Sequence, residues 1–184
     1  MTLSACALII PEPAPTVYDL VIGEGVADTP GRTGGQLLIA APKVLNSLNN
    51  DRIVIKPNPA EIAFYGRVRW SDQLPRLVQL YFARAFSKTG GARAVGVPGD
   101  GLVIDHQLLF DIRAFQVEAV NSGFETNIEI GVRILNDRNG RVVASNTFSG
   151  SETTQDEPVS AVAALNSTLD QVSIDLIKWV YSRI

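Results

Sequence analysis

Residues 127–148 read NIEIGVRILNDRNGRVVASNTF. Ile128, Ile130, Val132 and Ile134 alternate with Asn127, Glu129, Gly131 and Arg133, a period of two that gathers the apolar side chains on one face of a strand. Asn136-Asp137-Arg138-Asn139-Gly140 is a turn, with Asn139-Gly140 a two-residue hairpin signal, so Arg141 to Phe148 is expected to return antiparallel. A sheet that is apolar on one face has to bury that face under another layer. The rest of the chain is read for further strands and for that cover.

Upstream, Leu108, Phe110, Ile112 and Ala114 alternate with Asp111 and Arg113, then the phase flips to Phe115 and Val117. A flip of this kind predicts a bulge that re-aims the strand. Earlier still, Thr16 to Ile22 reads as a strand, Gly23 to Gly35 as a glycine-rich loop and Gln36 to Ala41 as a short buried strand. Pro42 to Asn50 is a turn or one helical coil. Asp51 to Lys56 and Ile62 to Trp70 alternate on either side of the Asn58-Pro59 turn, which predicts a hairpin. Trp70 is expected in the core.

The cover comes from two segments with helical period. Leu74, Leu77, Val78, Tyr81, Phe82, Ala85 and Phe86 fall on one stripe of a helix over 71–89, with Ser71 and Asp72 as acceptors at its start. Pro75 sits in its first turn, and Gly90-Gly91 ends it. Val162, Leu165, Leu169, Val172, Leu176 and Trp179 mark a second helix at the C-terminus. The expected class is therefore α+β: a largely antiparallel sheet with two amphipathic helices packed on one face, in a single domain over 16–184.

The second helix carries a further apolar row of Ile174, Ile177 and Tyr181 beside its core stripe. From Val159 to Ile184 it would be roughly 39 Å long, against roughly 32 Å for twice the radius of gyration of the body. Ile177 and Tyr181 are therefore a candidate assembly surface, against a second copy in a homo-oligomer or against another subunit. The alternative is that both rows lie in one wide groove.

With 184 residues, 46% of them hydrophobic and a net charge of −3, the chain can bury a core and offers no overall basic character for nucleic acid. Chemistry is sparse. The single histidine, His106, would have to serve any Ser-His-Asp triad, and no Gly-x-Ser-x-Gly elbow presents a serine. Gly96-Val97-Pro98-Gly99-Asp100-Gly101 lacks the endings of phosphate and dinucleotide loops. The acids at Asp19 and over 152–157 are not spaced as a catalytic pair or a calcium loop. No catalytic residue, metal site or cofactor is expected.

The single cysteine, Cys6, excludes an internal disulfide. It closes Leu3-Ser4-Ala5-Cys6, the apolar-small-small-Cys pattern of a bacterial lipobox, whose thiol receives diacylglycerol. No basic segment and apolar run precede it, so the pattern reads as the remnant of a longer signal peptide. Pro11, Pro13 and Pro15 then favour an extended spacer, and residues 1–15 are expected to be lipobox remnant and tether.

Four stretches together resemble the ABC-type transport auxiliary lipoprotein family, the lipoproteins that accompany lipid transporters containing MCE domains. They are Cys6-Ala7-Leu8 with the spacer and Tyr18-Asp19-Leu20; Asp51-Arg52-Ile53-Val54 leading to Phe64-Tyr65 and Arg67-Val68-Arg69-Trp70; Asp137 to Ser145; and Ala161 to Trp179. The resemblance implies a non-catalytic periplasmic subunit that helps an MCE protein, its permease and its ATPase move phospholipid between membranes. It also implies acylation of Cys6, and Ala7 in place of a retention aspartate implies the inner leaflet of the outer membrane. Two roles fit such a subunit: a connector that docks the transport machinery, or a module that itself binds lipid with Tyr65, Trp70 and Phe115.

Overall fold

The computed structural model describes residues 13–184. Its centre is a long hairpin, β8 (His106–Val120) with β9 (Gly123–Asn136), paired antiparallel from His106↔Asn136 to Val120↔Gly123. The third strand of this meander, β10 (Val142–Gly150), lies on the other edge of β9. Ile128, Ile130, Val132 and Ile134 face one way and are 0–1% exposed, as their period requires. The connecting loop is longer than a two-residue turn: Asn136 and Arg141 close it, and Gly140 takes φ +69°. That left-handed conformation is where glycine costs least.

The expected bulge falls at Arg113, where the register slips between Ile112 and Ala114. Before it Leu108, Phe110 and Ile112 point to the core; after it Phe115 and Val117 do.

On its second edge β8 meets short parallel strands. These are β2 (Gln36–Ile39), β3 (Lys43–Val44) and β4 (Val54–Lys56), which pair in turn with residues near 107, 111 and 117. Pro42 and Pro57 lack the amide hydrogen a ladder needs, and each stands just outside one of these strands. A 3-10 turn, Asn46–Leu48, separates β3 from β4. β5 (Ala63–Phe64) pairs antiparallel with β4, as the predicted hairpin requires. The strand expected over 62–70 is split, however, by a turn at Gly66 and Arg67. Its second half, β6 (Val68–Trp70), pairs in parallel with β1 (Thr16–Tyr18) in a separate two-stranded sheet. β7 (Ala94–Gly96) lies beside β2, and β11 (Thr153–Thr154) beside β9. The large sheet is thus mixed, antiparallel along its long ladders and parallel where the short strands join.

Three helices complete the α+β fold: α1 (Glu24–Ala27), α2 (Leu74–Thr89) and α3 (Pro158–Tyr181). All seven residues of the α2 stripe are buried, and Gly90 caps the helix in the left-handed conformation. At its start Asp72 accepts from its neighbour Gln73 N–H and pairs with Arg76, while Ser71 donates to Asp19. Phe82 stacks on Phe110 at 4.7 Å, and Trp179 of α3 meets Phe148 at 5.6 Å, so both long helices lie on the same face of the sheet.

Ile177 and Tyr181 do not form an exposed surface. They are 0% and 7% exposed, and the Tyr181 ring packs edge-on against Phe86 with its hydroxyl 2.8 Å from Thr89 Oγ1. The groove alternative holds. α1 and the loop after it, read as glycine-rich coil, form a second wall against α2 and α3, where Ile174 meets Gly25 and Tyr181 meets Gly31, while Val172 lies against Gly150 of the sheet. At Gly91 a Cβ would sit 2.6 Å from the Tyr181 ring, so only a glycine admits this approach.

Candidate functional site

The site begins with how the chain enters the body. Segment 16–23 is stitched down along its length. Thr16 N–H donates to Arg67 O (2.9 Å), Ser71 N–H to Tyr18 O (2.7 Å) and Ser71 Oγ to Asp19 Oδ1 (3.1 Å). Val21 N–H then donates to Asn166 Oδ1 (2.7 Å) and Gly23 N–H to Asp170. Asp170 also accepts the Tyr81 hydroxyl at 2.6 Å, which ties α2, α3 and the entering chain at one carboxylate. Burial first, then this hydrogen bond, raises the Tyr81 phenol above its ordinary pKa, with Ser173 opposing.

These bonds fix the exit of the N-terminus over a groove of about 610 Å³ lined by Pro13 to Pro15, Arg52 and residues 64–69. The β5–β6 turn shapes it. Arg67, at φ +60°, is the one non-glycine residue with positive φ among the described residues, and it projects at the turn's tip. Arg52 lays its guanidinium 3.5 Å over the Phe64 ring, and Arg69 bonds Asp51 across 3.3 Å at the rim. All three arginines are exposed, and the described residues that line the groove include no acid. Tyr65 is half-buried at the side; burial, then the Asp156 carboxylate, holds its phenol protonated well above the usual range.

The remaining sequence candidates are scattered. Cys6 lies outside the described residues. His106, at the start of β8, lines a groove with Thr33, Arg93, Asp105 and Arg138. The neighbouring Asp105 carboxyl is held low by the Gln36 N–H and then by Arg138, and it is bonded to these two groups and not to the imidazole. Trp70 and Phe115 meet edge-to-face at 6.1 Å and are 2% and 1% exposed, so they fill the core. On the sheet face away from the helices, the bulged Arg113 bridges Asp111 and Glu129 above Gly131. Sequence reading did not pick out this network or the Arg52–Arg67–Arg69 cluster, because each gathers residues distant in the chain. Among the described residues no three His, Cys, Asp or Glu side chains are grouped to hold a metal ion, and no helix is long and apolar enough to cross a membrane.

The chain is 33% identical over 168 residues to an uncharacterized protein, bll6063, of Bradyrhizobium diazoefficiens. That match takes in 88% of this chain and 44% of the relative, so the chain spans less than half the relative's length. The crystal structure of XCC0632 from Xanthomonas campestris superposes with a TM-score of 0.81 at 25% identity, covering 91% of this chain and 96% of that one. CT253 from Chlamydia trachomatis, at 6% identity and a TM-score of 0.57 over 82% of this chain and 98% of its own, shares the fold alone. Residues 18–176, nearly the whole described body, match the ABC-type transport auxiliary lipoprotein component, a family of transport subunits and not a known family of enzymes. The chain belongs to the ABC-type transport auxiliary lipoprotein family.

Proposed function

We propose that this protein is a non-catalytic connector in an MCE-type lipid transport system, tethered through acylated Cys6 and the proline-containing spacer of residues 1–15. In this reading the body of residues 16–184 stands in the periplasm at the inner leaflet of the outer membrane. There it docks an MCE-domain subunit whose permease and ATPase drive phospholipid movement. The observation that carries the reading is the family match over residues 18–176. The connector role, as against a lipid-binding module, is supported by Trp70 and Phe115. Of the three aromatics available to a lipid pocket, these two are spent on each other in the core, and Tyr65 alone lines a groove. Two acyl chains on one cysteine suffice for stable anchoring where a single chain does not.

The test places the gene behind its complete signal peptide in a cell that carries the transporter. The parent should fractionate with outer membranes and co-purify with the MCE subunit, and Cys6→Ser should move it to the soluble periplasmic fraction or leave it unprocessed. A Cys6→Ser protein that fractionates like the parent would refute the anchor. Apolar lipid recovered stoichiometrically from the purified body would replace the connector by the binding module.

A further inference from the structure

We infer that the groove between α2 and the edge strand β7 receives an extended, acidic segment of a partner protein, which adds to β7 as a further strand. The inference rests on the connector reading for there being a partner, and deepens it by naming the surface that holds one. The groove has a volume of about 390 Å³. Two elements that the fold lays side by side form it. On α2, Leu80, Ala83, Arg84, Ser87 and Lys88 recur at the spacing of one helical face, next to the buried stripe. On the sheet side stand Val95 and Val97, with Gly96 between them. Leu80, Ala83, Val95 and Val97 are each half-buried, so the groove keeps apolar surface open to solvent.

The backbone beside this apolar floor selects the occupant. β7 ends the large sheet: it pairs in parallel with β2 and, among the described residues, with no strand on its other side. Gln36 bonds Asp105 through both its N–H and its C=O, so Leu37 turns to β7. Val95, opposite Leu37, then presents its own N–H and C=O along the open edge. Gly96 carries no side chain to stand between this backbone and the groove. The row closes at Val97, whose N–H is taken by Asp100 Oδ2 at 2.8 Å. A strand added here satisfies the open backbone groups and lays alternate side chains against the helix. An acyl chain would displace water from the same groups without replacing its hydrogen bonds. Charge sets the composition of the segment. Arg84 and Lys88, one turn apart on α2, are exposed and take part in no ion pair or side-chain hydrogen bond among the described residues. Asp100 is the one acid among the described lining residues, and it is engaged by its own loop on the opposite wall. Two cations against one engaged carboxylate favour acidic side chains beside aliphatic ones.

The test probes the full chain carrying Cys6→Ser with an array of all hexapeptides built from Val, Thr, Asp and Lys. Bound sequences should carry Val at alternate positions and Asp in preference to Lys. N-methylation of one alternate set of peptide nitrogens should abolish binding and of the other set should spare it, as a strand paired on one side requires. Arg84→Glu with Lys88→Glu should weaken the Asp peptides roughly tenfold and turn the preference to Lys. Ser87→Trp, which fills the groove from an exposed position, should weaken every bound peptide. Arg141→Glu, in the turn after β9, should change nothing. An array without binders would overturn the proposal. So would binding that neither methylated set disturbs, or a preference for Asp that survives the charge reversal with the melting temperature unchanged. Uptake of cis-parinaric acid in place of any peptide would make the groove a lipid site and equally overturn it. Failure of the array while the MCE subunit still co-purifies with the parent removes only the groove, whereas peptide binding without that co-purification removes the connector reading alone.

Discussion

Replacing Trp70 by alanine is the sharpest probe of how the two sheets are joined. The indole ends β6, is 2% exposed and meets the Phe115 ring edge-on at 6.1 Å just beyond the β8 bulge. It thus links the small β1–β6 sheet, which carries the N-terminal exit, to the main core. The backbone bond from Trp70 N–H to Asp51 O, at 2.7 Å, survives the substitution, so the loss is one of packing. Truncating a buried tryptophan costs about 3–5 kcal/mol. Of that, about 0.5–1.5 kcal/mol should appear as coupling to Phe115 in a double-mutant cycle with Phe115→Ala. Against a total stability on the order of 5–15 kcal/mol, the single variant should still fold but melt about 6–20 °C lower. Urea unfolding followed by far-ultraviolet circular dichroism reads both numbers. A midpoint within about 1 kcal/mol of the parent, with partner binding lost, would make Trp70 a docking aromatic and refute the packing argument.

Burial of the second apolar row of α3 makes Ile177→Ala costly by about 2–5 kcal/mol, with no change of mass in light scattering. Tyr181→Phe, which removes the hydroxyl that meets Thr89 and the Ala92 backbone, should cost about 1 kcal/mol. A drop in oligomer mass with unchanged melting would restore the assembly surface. Stability should also fall in alkali. The Tyr81 phenol is raised in the folded state, so its contribution is complete below the unfolded value of about 10 and declines as the unfolded chain ionises above it. Urea titrations of parent and Tyr81→Phe at about pH 8 and about pH 11 should show a steeper loss in the parent; parallel losses would remove Tyr81 as the cause.

The elements that sequence alone determined are those whose physics is local. The stripe of α2 is buried residue for residue, Gly90 caps it, the alternation of β9 lies on the core face, and the bulge falls where the phase of β8 breaks. In each case the period of the apolar residues and the backbone geometry are properties of one continuous segment. Tertiary structure decided whatever depends on which surface arrives from elsewhere. The alternation over 62–70 runs unbroken through a turn, so nothing local announces that Val68 to Trp70 will pair with Thr16 to Tyr18 instead of extending the hairpin. Ile177 and Tyr181 are apolar whether a second subunit or the protein's own loop covers them. The cover is α1 with Gly31 and Gly91, close approaches of small residues that leave no periodic trace. The arginine groove is of the same kind. Arg52 lies before the β4–β5 hairpin and Arg67 and Arg69 lie after it, and only the fold of that turn over the entering chain sets their charges together beside Pro13.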